Sequence, residues 1–303
     1  MINKLDDILK VVKGNKKVIL SVAAAHDEEV LLAIKEATQR EIIKPILIGD
    51  ENKIREISEK IDFNLEGLEI IQKDTIEECA EIAVKLVSSN KADFVMKGLL
   101  DTSVILKAVL NKEYGLRTDS LLSHVMVYEI PSYHKLLVTT DGGMNIAPDY
   151  NQKVKILKNA IDATKPLELE YIKVACLSAK EKVNPKMIST VDARKLQEAG
   201  EKGEFGGNVI VEGPLAFDLA ISKEAAKIKG FESEISGNVD IMLMPTIEVG
   251  NGIGKTLTYF AGAKSAGIIM GAKAPIVLVS RADSHESKLY SIAYGALIAG
   301  YNK

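Results

Sequence analysis

Three features of this chain predict an α/β fold built on parallel sheet in more than one domain. Short apolar runs rich in β-branched residues alternate with amphipathic stretches of roughly ten residues, the pattern of parallel strands joined by right-handed helical crossovers. Hydrophobic residues make up 47% of the sequence while aromatics supply 5% and tryptophan is absent, so the interior is aliphatic. At 303 residues the chain is long for one core and comfortable for two.

Taken in order, a helix is predicted over Leu5 to Val12, then a strand from Val18 to Val22 and a helix from Glu28 to Arg40. The pattern repeats as strand Pro45 to Ile48, helix Ile54 to Ile61, strand Leu68 to Ile71, helix Ile76 to Val87, strand Phe94 to Met96 and helix Val104 to Leu110. At Leu122 the rhythm changes. His124 to Glu129 and Lys135 to Thr140 are extended runs joined by Ile130-Pro131-Ser132-Tyr133, which reads as a hairpin or a crossing between domains. Alternation resumes with helix Gln152 to Ala163, strand Lys173 to Leu177, helix Val191 to Ala199, strand Asn208 to Val211, helix Leu219 to Ala226 and strand Ile241 to Met244. The last strand, Ile276 to Val279, and the helix after it are expected to return to the first sheet. That makes the first domain discontinuous, residues 1–130 plus 272–303, with residues 131–271 forming the second.

The end of the last strand carries the strongest chemical signal. Ile276 to Val279 empties into Ser280-Arg281-Ala282-Asp283-Ser284, which puts an arginine at the carboxyl edge of a parallel sheet, where open α/β folds hold ligands. Ser284 is a natural N-cap, and Leu289, Ile292, Ala293, Ala296 and Leu297 form the apolar stripe of the helix that follows. An arginine fork beside the free amides of a helix N-terminus is an anion site, and phosphate is the expected anion.

Glycine-bearing turns are predicted after other strands. Asp141-Gly142-Gly143 with Asn145 follows Thr140, Glu212-Gly213-Pro214-Leu215 follows Val211, Met96-Lys97-Gly98 precedes Thr102 and Lys107, and Val249-Gly250-Asn251-Gly252 precedes Lys255. Glycine lets backbone amides approach a ligand closely. A lone Gly-Gly pair is more simply a tight turn, but four such turns point to loops gathered on one rim. Gly254-Lys255-Thr256 mimics the end of a nucleotide-hydrolase phosphate loop, yet the first glycine of that motif would fall on Val249, so nucleotide hydrolysis is not expected.

The balance of 39 basic against 42 acidic residues, net −3, lacks the basic excess that grips nucleic acid or anionic lipid. A small molecule is the expected partner. Cys79 and Cys176 lie far apart with no metal spacing and no disulfide framework, which suits a reducing cytosol. No stretch approaches the roughly 18 apolar residues of a membrane span, and the N-terminus lacks a signal-peptide core, so a soluble, cytoplasmic protein is expected.

TDGGMNIAP, EGPLAFDLAIS, PTIEVGNGIGKTLTYF and APIVLVSRADS, in this order and spacing, resemble the phosphate acetyl/butyryltransferase family. AAAHDEEVL, KGLLDTSVILKAVL and EKVNPKMIST extend the resemblance across nearly the whole chain. The compact length and the KGLLDTS, LLSHV and SRADS segments look more like the butyryl-transferring branch than the longer acetyl-specific enzymes. The resemblance implies two αβα domains of the isocitrate/isopropylmalate-dehydrogenase-like type with the active-site cleft between them, and a homodimer or larger homo-oligomer. It further implies reversible transfer of a short acyl group between coenzyme A and inorganic phosphate, giving an acyl phosphate, with coenzyme A as substrate and no metal or redox cofactor.

Residue by residue, the resemblance makes Arg281 the bidentate phosphate clamp and Ser280 a hydrogen-bond donor to the sulfur or the developing oxyanion. Asn251 and Lys255 match the family's GN-x-x-x-K pattern and are expected at the wall of the active site. The second arginine of acetyl-specific members falls on Lys107 here, which keeps the charge and loses the fork. Their acidic residue six places after the Ser-Arg arginine, the base for the coenzyme A thiol, falls on Ser287. Asp283 and Glu286 are the nearest carboxylates and either could take that proton, with Glu286 favoured, although each also suits the first turn of a helix. Lys97, Thr102, Asp141 and Asn145 complete the expected phosphate and coenzyme A contacts, the last two as much for loop geometry as for substrate. His26, His124, His134 and His285 are unclustered, and no histidine partner is visible for either cysteine. Direct transfer in a ternary complex is therefore expected, without an acyl-cysteine.

Two rivals belong to other classes. A nicotinamide-linked dehydrogenase could share the architecture, but the turn after the first strand, Val22-Ala23-Ala24-Ala25-His26, holds none of the required glycines. A non-catalytic acyl-CoA or phosphate binding protein would keep the anion loops without needing Ser280 or a base.

Overall fold

The computed structural model describes residues 2–14, 17–278 and 284–301. In chain order the elements begin α1 (Leu5–Lys13), β1 (Val18–Ala23), α2 (Glu28–Gln39), β2 (Ile43–Gly49), α3 (Glu51–Lys60), β3 (Glu69–Gln72), α4 (Ile76–Ser88), β4 (Phe94–Lys97) and α5 (Thr102–Val109). There follow β5 (Ser123–Glu129), β6 (Leu137–Thr140), α6 (Tyr150–Thr164), β7 (Ile172–Leu177), α7 (Ile188–Glu201), β8 (Val209–Leu215), α8 (Phe217–Ile221), α9 (Lys223–Ile228) and β9 (Ile241–Leu243). The chain closes with α10 (Ile247–Tyr259), β10 (Lys264–Met270), β11 (Ile276–Val277) and α11 (His285–Tyr301).

Helix starts follow local chemistry. Asp27, Asp50 and Thr75 each accept a hydrogen bond from an amide of the first turn they precede, and Asp149 with Gln152 forms a reciprocal capping box on α6. At α11 the predicted cap is in place, Ser284 Oγ accepting from the Ser287 amide at 3.3 Å.

The chain divides into two compact units, Leu5–Ser120 with Ser265–Lys303, and Met1–Lys4 with Leu121–Lys264. The return to the first unit thus comes at β10, a strand the sequence reading missed, rather than at residue 272. The passage into the second unit comes before β5 rather than at Pro131, since β5 and β6 form an antiparallel hairpin across Pro131.

In the first unit the strand order is β3-β2-β1-β4-β11-β10, parallel except where β10 meets β11. Helix α4 packs on β1, β2 and β4, and Ser21 in β1 donates to the Ala83 carbonyl at 2.7 Å to fix it there. Helix α11 packs on β1, β4 and β11 together with α1 and α2. It is buried on nearly every side, and Gly295 allows the close approach, because a Cβ there would stand 2.9 Å from the Phe94 ring.

In the second unit the order is β5-β6-β9-β7-β8, parallel apart from the hairpin. Helices α6 and α7 pack on the sheet and on each other, and the buried pair Lys153 to Asp192 joins them at 2.6 Å. A separate core gathers Tyr128, Leu137, Leu177, Met242, Leu219 of α8, Ala226 of α9 and Leu257 of α10. Lys135, beside the start of β6, pairs with the buried Asp240 at 2.7 Å and also donates to the Asn238 carbonyl.

Three local expectations are corrected. The helix predicted over 219–226 is two helices, because Ser222 ends α8 and caps α9 by accepting from the Ala225 amide at 3.1 Å. Glu212-Gly213-Pro214-Leu215 is not a turn but the second half of β8. Val249 to Gly252 is likewise no turn: it lies within the first two turns of α10. Among the described residues no helix is long and apolar enough to cross a membrane.

Candidate active site

In the second unit β6 runs out at Thr140 and the chain folds around one carboxylate. Asp141, 3% exposed, accepts from the amides of Gly143 at 2.8 Å, Met144 at 2.9 Å and Asn145 at 3.2 Å, and from the Asn145 side chain at 2.6 Å. Asn145 Nδ2 also donates to the Leu122 carbonyl at 2.9 Å. The glycine loop therefore turns these amides inward to Asp141 rather than presenting them to an anion. Asp141 and Asn145 act here as the frame of the loop. The His124 ring stands where a side chain on Gly143 would go.

This frame is locked to α10 through backbone. A Cβ on Gly142 would come within 2.7 Å of the Gly250 carbonyl carbon, and one on Gly250 within 2.6 Å of both the Asp141 carbonyl oxygen and the Gly142 Cα. One turn further, a Cβ on Gly254 would strike the Tyr128 hydroxyl at 2.6 Å. An interior glycine weakens a helix by about 1 kcal/mol relative to alanine. Gly250 and Gly254, four apart and so on one face, offset that cost with close packing on the loop and β5. The sequence reading took the glycines for a turn, and the signal it missed is this i, i+4 spacing in line with the buried Leu257.

The adjoining face of α10 carries Asn251 and Lys255, again four apart and both exposed. Asn251 Nδ2 reaches the Gly142 carbonyl at 3.4 Å, so the two sequence motifs meet at this side chain. Lys255 makes no ion pair among the described residues, and its Nζ lies 6.0 Å from the centre of the Tyr259 ring.

In the first unit β4 ends at Lys97, and Gly98 follows it. The Gly98 and Leu99 amides donate to the Ala23 and Ala24 carbonyls at 2.9 and 2.8 Å, so the loop lies flat on the end of β1, and a Cβ on Gly98 would collide with those carbonyls. Lys97 is buried, and its Nζ donates to the carbonyls of Leu100 at 2.9 Å and Gly98 at 3.2 Å, bracing the loop. Thr102 opens α5, partly buried, while Lys107 is exposed in the last turn of that helix. Glu286, in the first turn of α11, is exposed and accepts from the Tyr290 hydroxyl at 3.4 Å; that hydroxyl also donates to Asp6 of α1 at 2.8 Å. Lys288, one turn into α11 and 3% exposed, is a buried cation that sequence periodicity did not single out. Ser280, Arg281 and Asp283 lie outside the described residues.

Both cysteines are buried. Burial pushes the Cys176 thiol up to about 12, and burial also raises that of Cys79 on α4, so both are protonated near neutrality.

The model of the family described as phosphate acetyl/butaryl transferase matches residues 4–83 and 73–296. The chain belongs to this family. As an acyltransferase of the phosphate acetyl/butyryltransferase family it has full-length relatives of two kinds. The phosphate butyryltransferase of Clostridium acetobutylicum is 44% identical over 300 residues, covering 99% of both chains. The phosphate acetyltransferase of Thermotoga maritima is 40% identical over 295 residues, covering 97% of this chain and 99% of its own. Among solved structures, a branched-chain phosphotransacylase from Enterococcus faecalis superposes with a TM-score of 0.81 at 35% identity, covering 93% of this chain and 99% of its own. A 4-hydroxythreonine-4-phosphate dehydrogenase from Klebsiella pneumoniae, 14% identical, matches 94% of this chain and 100% of its own with a TM-score of 0.51, a likeness of fold that bears out the expected dehydrogenase-like type.

Proposed function

We propose that this enzyme catalyses butyryl-CoA + phosphate = butyryl phosphate + CoA by direct transfer in a ternary complex, with coenzyme A as substrate and no further cofactor. The observation that carries the reading is the end-to-end agreement with a phosphate butyryltransferase, 99% of each chain at 44% identity. A phosphate oxygen attacks the thioester carbonyl, the tetrahedral adduct collapses, and the carbon–sulfur bond breaks to leave the thiolate. Arg281 holds the phosphate against the carbonyl as a planar fork, and Ser280 donates to the sulfur or the oxyanion. In the reverse direction Glu286, or else Asp283, takes the thiol proton. Lys97, Thr102, Lys107, Asn251 and Lys255 supply charge and polar contacts for phosphate and coenzyme A. Asp141 and Asn145 serve by shaping the loop that holds α10. The enzyme works in the cytoplasm as a homodimer or higher homo-oligomer.

Transfer of acetyl is the second reading, favoured by the 40% identity to the Thermotoga enzyme over nearly its whole length. Initial rates of phosphate-dependent thiol release across acyl-CoAs of two to six carbons decide between them. A maximum at four carbons is expected. A maximum at two carbons would move the assignment to acetyl, and no phosphate-dependent release from any short acyl-CoA would remove the transferase reading.

A further inference from the structure

Helix α10 holds three glycines, and packing explains two of them. Gly250 and Gly254 face the Asp141 loop and Tyr128, where no Cβ fits. Gly252 differs. It is exposed, its φ is not positive, and among the described residues a Cβ built on it would meet nothing within 4 Å. Every other glycine inside a described helix has a protein atom within that distance of its missing side chain. A glycine here weakens the helix relative to alanine, and no described residue packs into the space it leaves. Its neighbours on the helix surface are Asn251 beside it and Lys255 and Thr256 three and four places on, with Tyr259, 70% exposed, one turn beyond.

We propose that Gly252 is a specificity-determining position, the clearance that lets the coenzyme A arm of the substrate lie flat on α10 between Asn251 and Lys255. The inference rests on the acyltransferase reading above. Clearance suits an extended amide chain better than inorganic phosphate. Phosphate needs donors, and the Gly252 amide sits past the first turn of the helix, where it is committed to the carbonyl four residues back. The arm, in contrast, is thin and carries amides of its own, for which the Asn251 carboxamide offers both a donor and an acceptor.

The test is a size series at one position, Gly252→Ala and Gly252→Val, with butyryl-CoA and phosphate varied separately and coenzyme A binding followed by calorimetry. The expected result is a graded loss in which Gly252→Val raises the KM for butyryl-CoA and the Kd for CoA by about tenfold, while the KM for phosphate moves by less than about twofold. Gly252→Ala lies between and melts at a higher temperature than the parent, which separates lost binding from lost folding. Unchanged CoA affinity in both variants of an enzyme that turns over would overturn the inference, as would a rise confined to the phosphate KM. A parent protein that neither binds CoA nor releases thiol removes the acyltransferase reading itself, and the inference with it.

Discussion

Arg281 and Lys107 differ in what a cation can do for phosphate: the guanidinium offers a rigid pair of donors, the ammonium a mobile point charge. Arg281→Lys is therefore expected to slow catalysis by at least about tenfold, a loss of ~1.4 kcal/mol of transition-state stabilisation, and unchanged kcat/KM would discard it as the phosphate anchor. The base is read from a pair. Glu286→Gln should lower turnover and flatten its pH profile with substrate affinity near normal, and the same outcome from Asp283→Asn instead would transfer the role. Glu286 also touches the Tyr290 hydroxyl that bridges to Asp6, so the melting temperature of Glu286→Gln has to be followed alongside its kinetics. Cys79 and Cys176, buried and held protonated, predict that a Cys79→Ala, Cys176→Ser double variant keeps most of its activity; a folded but inactive protein would reopen covalent catalysis. The motif spacing of Asn251 and Lys255 is legible as two exposed side chains four apart on α10. The inward use of the Asp141 loop amides was not, because a Gly-Gly pair says that backbone comes close and leaves open what it comes close to.

At the scale of elements, periodicity carried most of the reading. The alternation of β1 through α5 is as expected because each strand centres on a short apolar run and α2, α3 and α4 each open on a capping side chain. What failed did so for local reasons. Gly250 and Gly252 argued for a turn, yet both lie inside α10, where Gly250 packs on the Asp141 loop; Ser222 broke one helix into two, and β10 hid behind Gly267 and the polar start of KSAGIIM. The lock between the Asp141 loop and α10 predicts that Gly250→Ala is worse than its size suggests. Overpacking against immovable backbone typically costs 1–3 kcal/mol, about the opposite of the usual gain from replacing a helical glycine. Chemical denaturation should show that loss together with a fall in activity; a more stable, fully active variant would show that the loop gives way.

Across the whole molecule, each unit is held by its own apolar core, and in the second unit two buried ion pairs are added. Lys153 and Asp192 stand within hydrogen-bond distance, nearly dry, so Lys153→Met strands a carboxylate and should cost roughly 3–5 kcal/mol in denaturant unfolding. Pairing it with Asp192→Leu should recover much of that; additive losses would mean the two side chains are not coupled. The division of labour between units also bears on how the protein is made. The sheet of the first unit receives β10 and β11 from the last part of the chain, and α11 covers it, whereas the strands of the second unit all precede Lys264. Domains condense as they leave the ribosome. The middle of this polypeptide can pair its own strands while its first hundred residues wait for theirs, so a message cut short after Lys264 would leave the first sheet without two strands and its covering helix.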